Sequence, residues 1–355
     1  MMKVLIAMSG GVDSSVAAKL LCDEGCECIG CTMKLYDNCD AGLPRGRTCC
    51  SLYDVEDARS VAFSLGMRYY VFNFKDDFRE KVIKKFASGY LRGQTPNPCI
   101  DCNRYMKFDK LLERAKLLGC DKLATGHYAR IEFDGEKYRL KKALDKSKDQ
   151  SYVLYMLTQE QLAHTLFPLG SLHKTDTRAI ADAADLSSAR KPDSQDICFV
   201  PDGDYAAAIE RLTGEKAPCG DFIDASGKIL GTHRGITHYT VGQHRGLGLS
   251  LPERRYVCSI DAENSTVTLG GSDELYSSTA EVHGFNWISG ETPAEPIRCT
   301  AKIRYRQPEQ PATAIAHKGG SITIQFDSPQ RAVTPGQAAV LYDGDTVLGG
   351  GEIVR

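Results

Sequence analysis

The sequence predicts an α/β N-terminal domain built on a parallel sheet, followed by a small β-rich central domain and a C-terminal β-barrel. Three observations carry that expectation. Over roughly the first 200 residues, short apolar runs alternate with amphipathic helical patterns, the order of a parallel sheet covered by helices. The first of these runs passes into a loop rich in glycine and serine that opens a helix. From about residue 202 helical periodicity gives way to short segments separated by Gly- and Pro-containing turns, as in small β units and barrels.

In chain order, Val4–Met8, Cys28–Met33, Tyr69–Phe74, Lys122–Thr125 and Ile197–Val200 read as buried strands. Val12, Val16, Leu20 and Leu21 mark a first helix, and Val55, Ala58, Val61, Ala62 and Leu65 a second. Phe78, Val82, Phe86 and Tyr90 mark a third, and Leu111, Leu112, Ala115 and Leu118 a fourth. Asp134-Gly135 lies between Tyr128–Phe133 and Lys137–Ala143 and reads as a hairpin turn. After one short helix, Tyr205–Leu212, turn signals punctuate the rest at Ala225-Ser226-Gly227, Asp261-Ala262-Glu263-Asn264, Gly270-Gly271, Gly319-Gly320 and Asp343-Gly344-Asp345. The expected domains are residues 1–201, 202–271 and 272–355. In a parallel sheet, ligands bind beyond the carboxyl ends of the strands.

Composition sets outer bounds. With 355 residues, 42% of them hydrophobic, the chain has material for two or three cores, since one core rarely grows past about 250–300 residues. A charged share of 25% and a net charge of −2 describe an ordinary soluble protein. No run approaches the length of a membrane span, and the N-terminus lacks the basic-then-apolar layout of a secretion signal, so the cytoplasm is the expected compartment and no membrane partner is expected. Fourteen cysteines are many for that compartment but too few for a disulfide scaffold. Cys22, Cys26, Cys28, Cys31, Cys120, Cys258 and Cys299 sit in helical or strand-like surroundings, where a small apolar filler is the expected role.

The loop after the first strand, Met8-Ser9-Gly10-Gly11-Val12-Asp13-Ser14-Ser15, reads as a phosphate cradle. Two glycines let the backbone approach an anion, Ser9, Ser14 and Ser15 carry hydroxyls, and a helix N-terminus presents unpaired N–H groups and partial positive charge. A Walker loop would carry a lysine that reaches the outer phosphates, and this segment has none. Ser-Gly-Gly-x-Asp-Ser instead resembles the pyrophosphatase loop of adenylating enzymes, which split ATP between its α and β phosphates. Asp13 is open to two readings, a carboxylate on the Mg2+ side or a helix cap.

Thr95-Pro96-Asn97-Pro98 breaks any helix and leads into Cys99-Ile100-Asp101-Cys102, with an amphipathic helix expected from Asn103. A cysteine pair on a rigid turn at a helix N-terminus favours thiolate, the form that attacks electrophiles and binds metals. Alone, Cys-x-x-Cys fits a zinc half-site, a redox pair, a cluster site or two cysteines on one turn. Cys198, in the last expected strand of the α/β domain, should reach the same edge of the sheet.

Taken together these motifs are identified with a family. The chain resembles the bacterial tRNA-uridine 2-sulfurtransferases, or tRNA 2-thiouridine synthetases, from residue 3 to about residue 353. The match rests on Ser9–Ser15, Thr95–Pro98 with Cys102-Asn103, Ala124–Arg130, Lys148–Tyr152, Asp193-Ser194 with Ile197-Cys198-Phe199, Tyr239–Gln243 with Gly246-Leu247-Gly248, and Arg304-Tyr305-Arg306. The resemblance implies an adenine-nucleotide α-hydrolase-like first domain that acts as the ATP pyrophosphatase, and a barrel that contacts tRNA. It implies ATP-dependent adenylation of the C2 oxygen of the wobble uridine, then displacement of AMP by a persulfide sulfur. Adenylation suits the chemistry, since a carbonyl oxygen is a poor leaving group and AMP a good one. By similarity, Cys198 carries the persulfide and Cys102 is the second catalytic thiol, pairing with Cys198 as sulfur is released.

The same similarity assigns Ala7, Met8, Ser9, Gly10, Gly11, Val12, Asp13, Ser14, Met33 and Gly126 to ATP, which acts with Mg2+. It assigns Asn97, Pro98 and Cys99 to the flipped uridine, and His127, Lys148, Asp149, Gln150, Arg304, Tyr305 and Gln337 to the tRNA. The implied partners are tRNA and a cysteine desulfurase or sulfur-relay protein, and the expected state is a monomer. Many family members carry aspartate where this chain has Cys99, so its acid–base role passes elsewhere, with Asp101 the nearby substitute. The exchange also opens a second sulfur route, a 4Fe–4S cluster on Cys99, Cys102 and Cys198 with one iron holding sulfide. Rival readings are a ligase or amidotransferase using the same ATP loop, which leaves the cysteines unexplained, and a non-catalytic RNA-binding protein with a structural metal.

Two further groups of residues stand out. Cys39, Cys49 and Cys50, with Asp54, lack the paired spacing of a zinc module and read as a surface or substrate loop. Lys137, Arg139, Lys141, Lys142, Lys146 and Lys148, with Arg298, Lys302, Arg304 and Arg306, are the expected phosphate contacts, because a tRNA enzyme of net charge −2 must cluster its cations.

Overall fold

The computed structural model describes residues 1–37, 52–189, 191, 197–200 and 202–354. Cys39, Cys49, Cys50, Asp193 and Ser194 lie outside the described residues.

Strand β1 (Lys3–Ala7) is the centre of the first sheet, and its Val4, Leu5 and Ile6 are fully buried. Successive side chains leave a strand on opposite faces. Leu5 therefore joins one apolar core while Val4 and Ile6 join another, so helices must cover both faces. The remaining strands are β2 (Glu27–Lys34), β3 (Arg68–Asn73), β4 (Lys122–Thr125), a hairpin of β5 (Ala129–Phe133) and β6 (Tyr138–Lys142), and β7 (Thr165–Leu166). The sheet order is β3-β2-β1-β4-β7, all parallel. The chain winds outward from β1 to β2 and β3, then returns to the other side of β1 for β4. That reversal is the switch point where a parallel sheet opens a crevice. The phosphate-type loop follows β1, and Gly126 follows β4, so both stand at that crevice.

Two expectations are corrected here. Ile197–Val200 is a turn, closed by the Val200 N–H donating to the Ile197 carbonyl at 2.8 Å, and β7 takes the edge position beside β4. Its apolar character serves anchoring instead: Phe199 sits edge-on to Phe78 and Phe86, with ring centroids at 5.7 and 5.3 Å. A four-residue apolar run has no periodicity that separates these cases. The helix after Thr95 begins at Pro98, ahead of Asn103, because Asn97 caps it by accepting the Cys99 N–H at 3.1 Å and Pro98 occupies the first helical position. Its continuation, Cys102–Leu111, is wound as a π-helix before α-winding resumes at Leu112–Leu117.

The central domain follows the helix Tyr205–Thr213 and comprises β8 (Gly220–Ile223), β9 (Ile229–His233), β10 (Tyr256–Asp261) and β11 (Thr266–Gly270), ordered β10-β11-β8-β9 around Phe222, Val257, Val267 and Leu269. The last domain has β12 (Tyr276–Trp287), β13 (Ile297–Lys302), β14 (Gln310–Ala316), β15 (Ile322–Arg331), β16 (Ala338–Asp343) and β17 (Thr346–Ile353). These run β12-β15-β14-β13-β16-β17, and β12 also pairs with β17, which closes a six-stranded antiparallel barrel. The hairpin continues the barrel's hydrogen bonding, with Thr346 opposite Lys141. Tyr342 and Val340 of the barrel belong to the same buried cluster as Leu5 and Tyr152. Among the described residues no helix is long and apolar enough to cross a membrane.

Of the cysteines expected as filler, Cys31, Cys120 and Cys299 are buried. Cys22 and Cys28 are partly exposed, and the Cys28 thiol beside Cys22 holds the Cys22 pKa below its ordinary value.

Candidate active site

The loop's backbone dictates its sequence. Gly10 has φ +74°, and a Cβ there would lie 2.4 Å from the Asp54 carbonyl oxygen, so only glycine fits. Gly11 caps the helix Val12–Asp23, leaving the first N–H groups directed toward the crevice. The Ser14 and Ser15 hydroxyls donate to the Gly11 carbonyl at 3.1 and 3.0 Å, and Ser15 is fully buried. Ser15 therefore shapes the loop and is not a phosphate hydroxyl. Ser9 remains turned to the crevice, its N–H donating to Ser14 Oγ at 3.1 Å.

Asp13 is tied down by two residues that the sequence reading missed. Its Oδ1 accepts from Lys174 Nζ at 2.6 Å and from the Tyr128 hydroxyl at 2.9 Å, and that hydroxyl also contacts Thr177 Oγ1 at 2.9 Å. Lys174 and Thr177 belong to the helix Lys174–Ala183 and are buried. A carboxylate neutralised by an ammonium fits an anchor for that ammonium better than a ligand for Mg2+, the ion expected with ATP. No signal near Asp13 in the chain points to residues so distant.

A cleft of about 370 Å3 opens from this loop, within the range of small-molecule sites. Of the residues assigned to ATP, Ala7, Met8, Ser9, Asp13, Ser14, Met33 and Gly126 line it, while Gly10, Gly11 and Val12 stand behind the wall. Of those assigned to uridine and tRNA, Pro98, Cys99, His127 and Gln150 line it. Cys99, Cys102 and Cys198 all line it too, with Cys99 the most exposed. None of the described cysteines is in a disulfide. The Tyr36 hydroxyl donates to the Cys198 carbonyl at 2.8 Å and fixes that turn at the cleft. Among the described residues no three of His, Cys, Asp and Glu converge on a single metal ion.

The remaining assigned residues are distributed differently. Asn97 lines a second cavity, on the other side of the helix that starts at Pro98. Asp101 faces that cavity as well and pairs with Lys85 at 2.9 Å, so it does not replace an acid in the cleft. Its burial raises the carboxyl above the usual range, against the opposing pull of Lys85. Asp149 accepts the Ala143 N–H at 2.9 Å and the Ser151 hydroxyl at 2.7 Å, which shapes the chain beside Lys148. Arg304 donates to the Val241 carbonyl at 2.9 Å, and Gln337 to the Thr95 carbonyl at 2.6 Å. Tyr305 stands close enough to Cys99 to interact electrostatically, with Lys302 5.7 Å from its ring centre. The barrel thus meets the turn that carries Cys99 from outside the cleft lining, through Gln337 and the Thr95 carbonyl.

His127 is buried, and its imidazole contacts Thr125 Oγ1 at 2.7 Å and Lys107 Nζ at 3.3 Å. Burial, with Lys107 adding to it, holds the ring well below its ordinary pKa and hence neutral. Lys107 is a further cleft residue absent from the sequence assignment.

The basic hairpin does not present free cations. Lys137 pairs with Glu291, Arg139 with Asp134, Lys141 with Glu132 and Lys142 with Glu309, each at 2.6–2.7 Å. Arg298 pairs with Asp327. A phosphate there would share these cations with carboxylates.

The fold and site define an α/β protein of nucleotide-binding type, with an anion-type loop and three thiols in one cleft at the switch point of its sheet. Residues 2–202 match the model of the tRNA methyl transferase HUP domain, residues 208–271 that of the tRNA methyl transferase PRC-barrel domain, and residues 277–353 that of the aminomethyltransferase β-barrel domain. The chain is 52% identical to the tRNA-specific 2-thiouridylase MnmA of Acetivibrio thermocellus over 99% of both chains. It is 51% identical to MnmA 2 of Caldanaerobacter subterraneus subsp. tengcongensis over 99% of this chain and 98% of that one. The Clostridioides difficile protein of the same name is 49% identical, again over 99% and 98%. This chain belongs to the tRNA-specific 2-thiouridylase family.

Proposed function

We propose that the protein thiolates C2 of the wobble uridine of tRNA, using ATP to activate the oxygen that sulfur replaces. The observation that carries this reading is that one cleft is lined by the anion loop residues Ser9, Asp13 and Ser14 and by the thiols Cys99, Cys102 and Cys198. An ATP-using ligase needs the first group alone, and a structural metal protein the second alone.

In the proposed sequence, the uridine C2 oxygen attacks the α-phosphorus of ATP and pyrophosphate leaves toward the helix N-terminus at Val12. A persulfide on Cys198, charged by a cysteine desulfurase or sulfur-relay protein, then attacks C2, and AMP leaves with the electron pair of the C2–O bond. Cys102 as thiolate attacks Cys198 Sγ, the S–S bond breaks toward C2, and 2-thiouridine departs as a Cys102–Cys198 disulfide forms, which a thiol reductant reopens. The uridine reaches the cleft flipped from its stack, past Pro98 and Cys99 on one side and His127 and Gln150 on the other. Lys148, Asp149, Arg304, Tyr305 and Gln337 serve the surrounding tRNA surface, Arg304 and Gln337 by fixing neighbouring backbone. We assign residues 1–201 to catalysis, 202–271 to a central support and 272–355 to tRNA contact.

The test is to incubate the protein with unmodified tRNA, ATP, cysteine and a cysteine desulfurase, and to look for 2-thiouridine by mass spectrometry. Cys198→Ser is expected to release pyrophosphate yet form no thiolated base; retained thiolation refutes the persulfide route. Activity that follows bound iron through anaerobic purification would replace that route with the cluster-bound sulfide.

A further inference from the structure

The cleft holds an ammonium whose hydrogen-bond partner among the described residues is a neutral ring. Lys107 Nζ lies 3.3 Å from His127 Nε2, and among the described residues it has no carboxylate partner. Because lysine only donates, Nε2 is the acceptor, and Nδ1 carries the proton it gives to Thr125 Oγ1 at 2.7 Å. Phe108 and Phe167 pack against the ring at centroid distances of 5.9 and 5.8 Å, which fixes its plane. The imidazole therefore positions the ammonium without neutralising it. The contrast with Lys174 is direct, since Lys174 gives its charge to Asp13.

Helix winding sets where Lys107 points. In the π-wound stretch Cys102–Leu111 each turn takes in about one residue more than in an α-helix, so residues five apart fall nearly in register. Cys102 and Lys107 are five apart, and both line the cleft. In ordinary α-winding the same pair would diverge by well over a quarter turn. The opposite anchor, His127, follows Gly126, whose Cα packs against Asp13 and Ser14 of the anion loop. Lys107 is thus held between the phosphate loop and the thiols. A half-buried cation in a cleft also lined by Met33, Phe78, Val153 and Phe199 has no counter-ion among the described residues, and is matched to an anionic substrate group.

We propose that Lys107 is a catalytic residue that binds the α-phosphate of ATP, stabilising the charge that develops as uridine oxygen displaces pyrophosphate and as AMP later departs. This rests on the ATP reading above. Bond changes are those of adenylation itself: the C2 oxygen bonds to the α-phosphorus, the α–β bridging bond breaks, and its electron pair leaves with pyrophosphate. Lys107 keeps its protons throughout and acts by charge, as fixed donors do at developing anions.

The experiment compares Lys107→Met and Lys107→Arg with the parent chain for tRNA-dependent pyrophosphate release, with tRNA affinity and melting temperature measured alongside. Lys107→Met is expected to lower kcat by about 10²–10³-fold, to leave tRNA affinity within about twofold, and Lys107→Arg to recover at least about tenfold of the loss. Pyrophosphate release by Lys107→Met within about threefold of the parent overturns the assignment. So does a loss that Lys107→Arg shares in full while tRNA affinity or melting temperature falls with it, because that marks a structural role. A parent chain that releases no pyrophosphate overturns the ATP reading, and this assignment with it.

Discussion

Gly126→Ala tests how closely the two halves of the crevice must approach. Gly126 is not among the glycines with positive φ, so alanine is allowed by the backbone and the effect is steric alone. The added Cβ would lie 2.8 Å from the Ser14 nitrogen, 2.9 Å from the Asp13 carbonyl carbon and 3.1 Å from its oxygen. These are backbone atoms at the first turn of the helix Val12–Asp23 and have no rotamer to yield. Restoring ordinary contact moves the loop and the end of β4 apart by roughly 0.6 Å, a strain of the kind that costs about 1–3 kcal/mol in packed interiors. Because the displaced atoms include a helix N–H expected to face phosphate, the loss should appear in ATP use more than in folding. A displacement near 1 Å can cost about a hundredfold in rate, so kcat/KM for ATP is expected to fall by about 10- to 100-fold. Pyrophosphate release measured against ATP concentration, with melting temperature in parallel, checks this. A variant with unchanged melting temperature and kinetics within about twofold of the parent refutes the packing argument.

Three further outcomes follow from the same geometry. Lys174→Met leaves the Asp13 carboxylate with Tyr128 alone, and should lower stability by about 1–3 kcal/mol, read by denaturant unfolding, with pyrophosphate release falling further than stability explains. The depressed pKa of buried His127 means the unfolded chain binds a proton first, so stability is fully present above the ordinary value near 6.5 and is lost as pH falls through the lower folded value. His127→Gln should flatten the loss of melting temperature below pH 6.5, and an unchanged acid slope contradicts the buried neutral ring. Lys302, with its ammonium 5.8 and 5.7 Å from the Tyr152 and Tyr305 ring centres, is expected to meet tRNA phosphate. Lys302→Ala should weaken tRNA binding across sequences and lower the log–log salt slope by about 1; a constant slope rules out that contact.

What the sequence revealed divides by range. The Ser9–Ser15 loop was legible because a glycine turn between an apolar strand and a helix is a local event. Cys99 and Cys102 were located by Pro96 and Pro98, although Asn97-Pro98 turned out to be the cap and first position of the helix itself. Cys198 reached the expected cleft by a different device, a turn anchored by Phe199 in the core. Lys107, Tyr128 and Lys174 were not legible, since single side chains enter the site through contacts spanning from 20 to 161 residues of chain. The π-winding of Cys102–Leu111 was hidden too, because Leu111, Leu112, Ala115 and Leu118 satisfy ordinary helical spacing just beyond it. Charge pairing at the hairpin was not legible either, where every cation from Lys137 to Lys142 meets a carboxylate, Glu291 and Glu309 from the barrel domain and Asp134 and Glu132 from the hairpin itself.

The barrel's place in the site is clearest at the cysteine turn. The Thr95 N–H donates to the Pro335 carbonyl at 2.8 Å, and the Thr95 carbonyl accepts from Gln337 at 2.6 Å, so both backbone polar groups of this residue are held by one barrel loop. Gly336 between them has φ +87°, and a Cβ there would meet the Thr95 nitrogen at 2.8 Å, so the loop closes on the turn through a glycine. On the other flank, the Tyr152 hydroxyl donates to the Ala338 carbonyl at 2.8 Å, and Asn103 Nδ2 donates to the Val153 carbonyl at 2.9 Å. Bonds thus run from the barrel through Tyr152 and Val153 to the residue after Cys102. A barrel so bonded buttresses the turn from outside the cleft lining, and the positions of Cys99 and Cys102 depend on it as well as on the sheet that carries the phosphate loop.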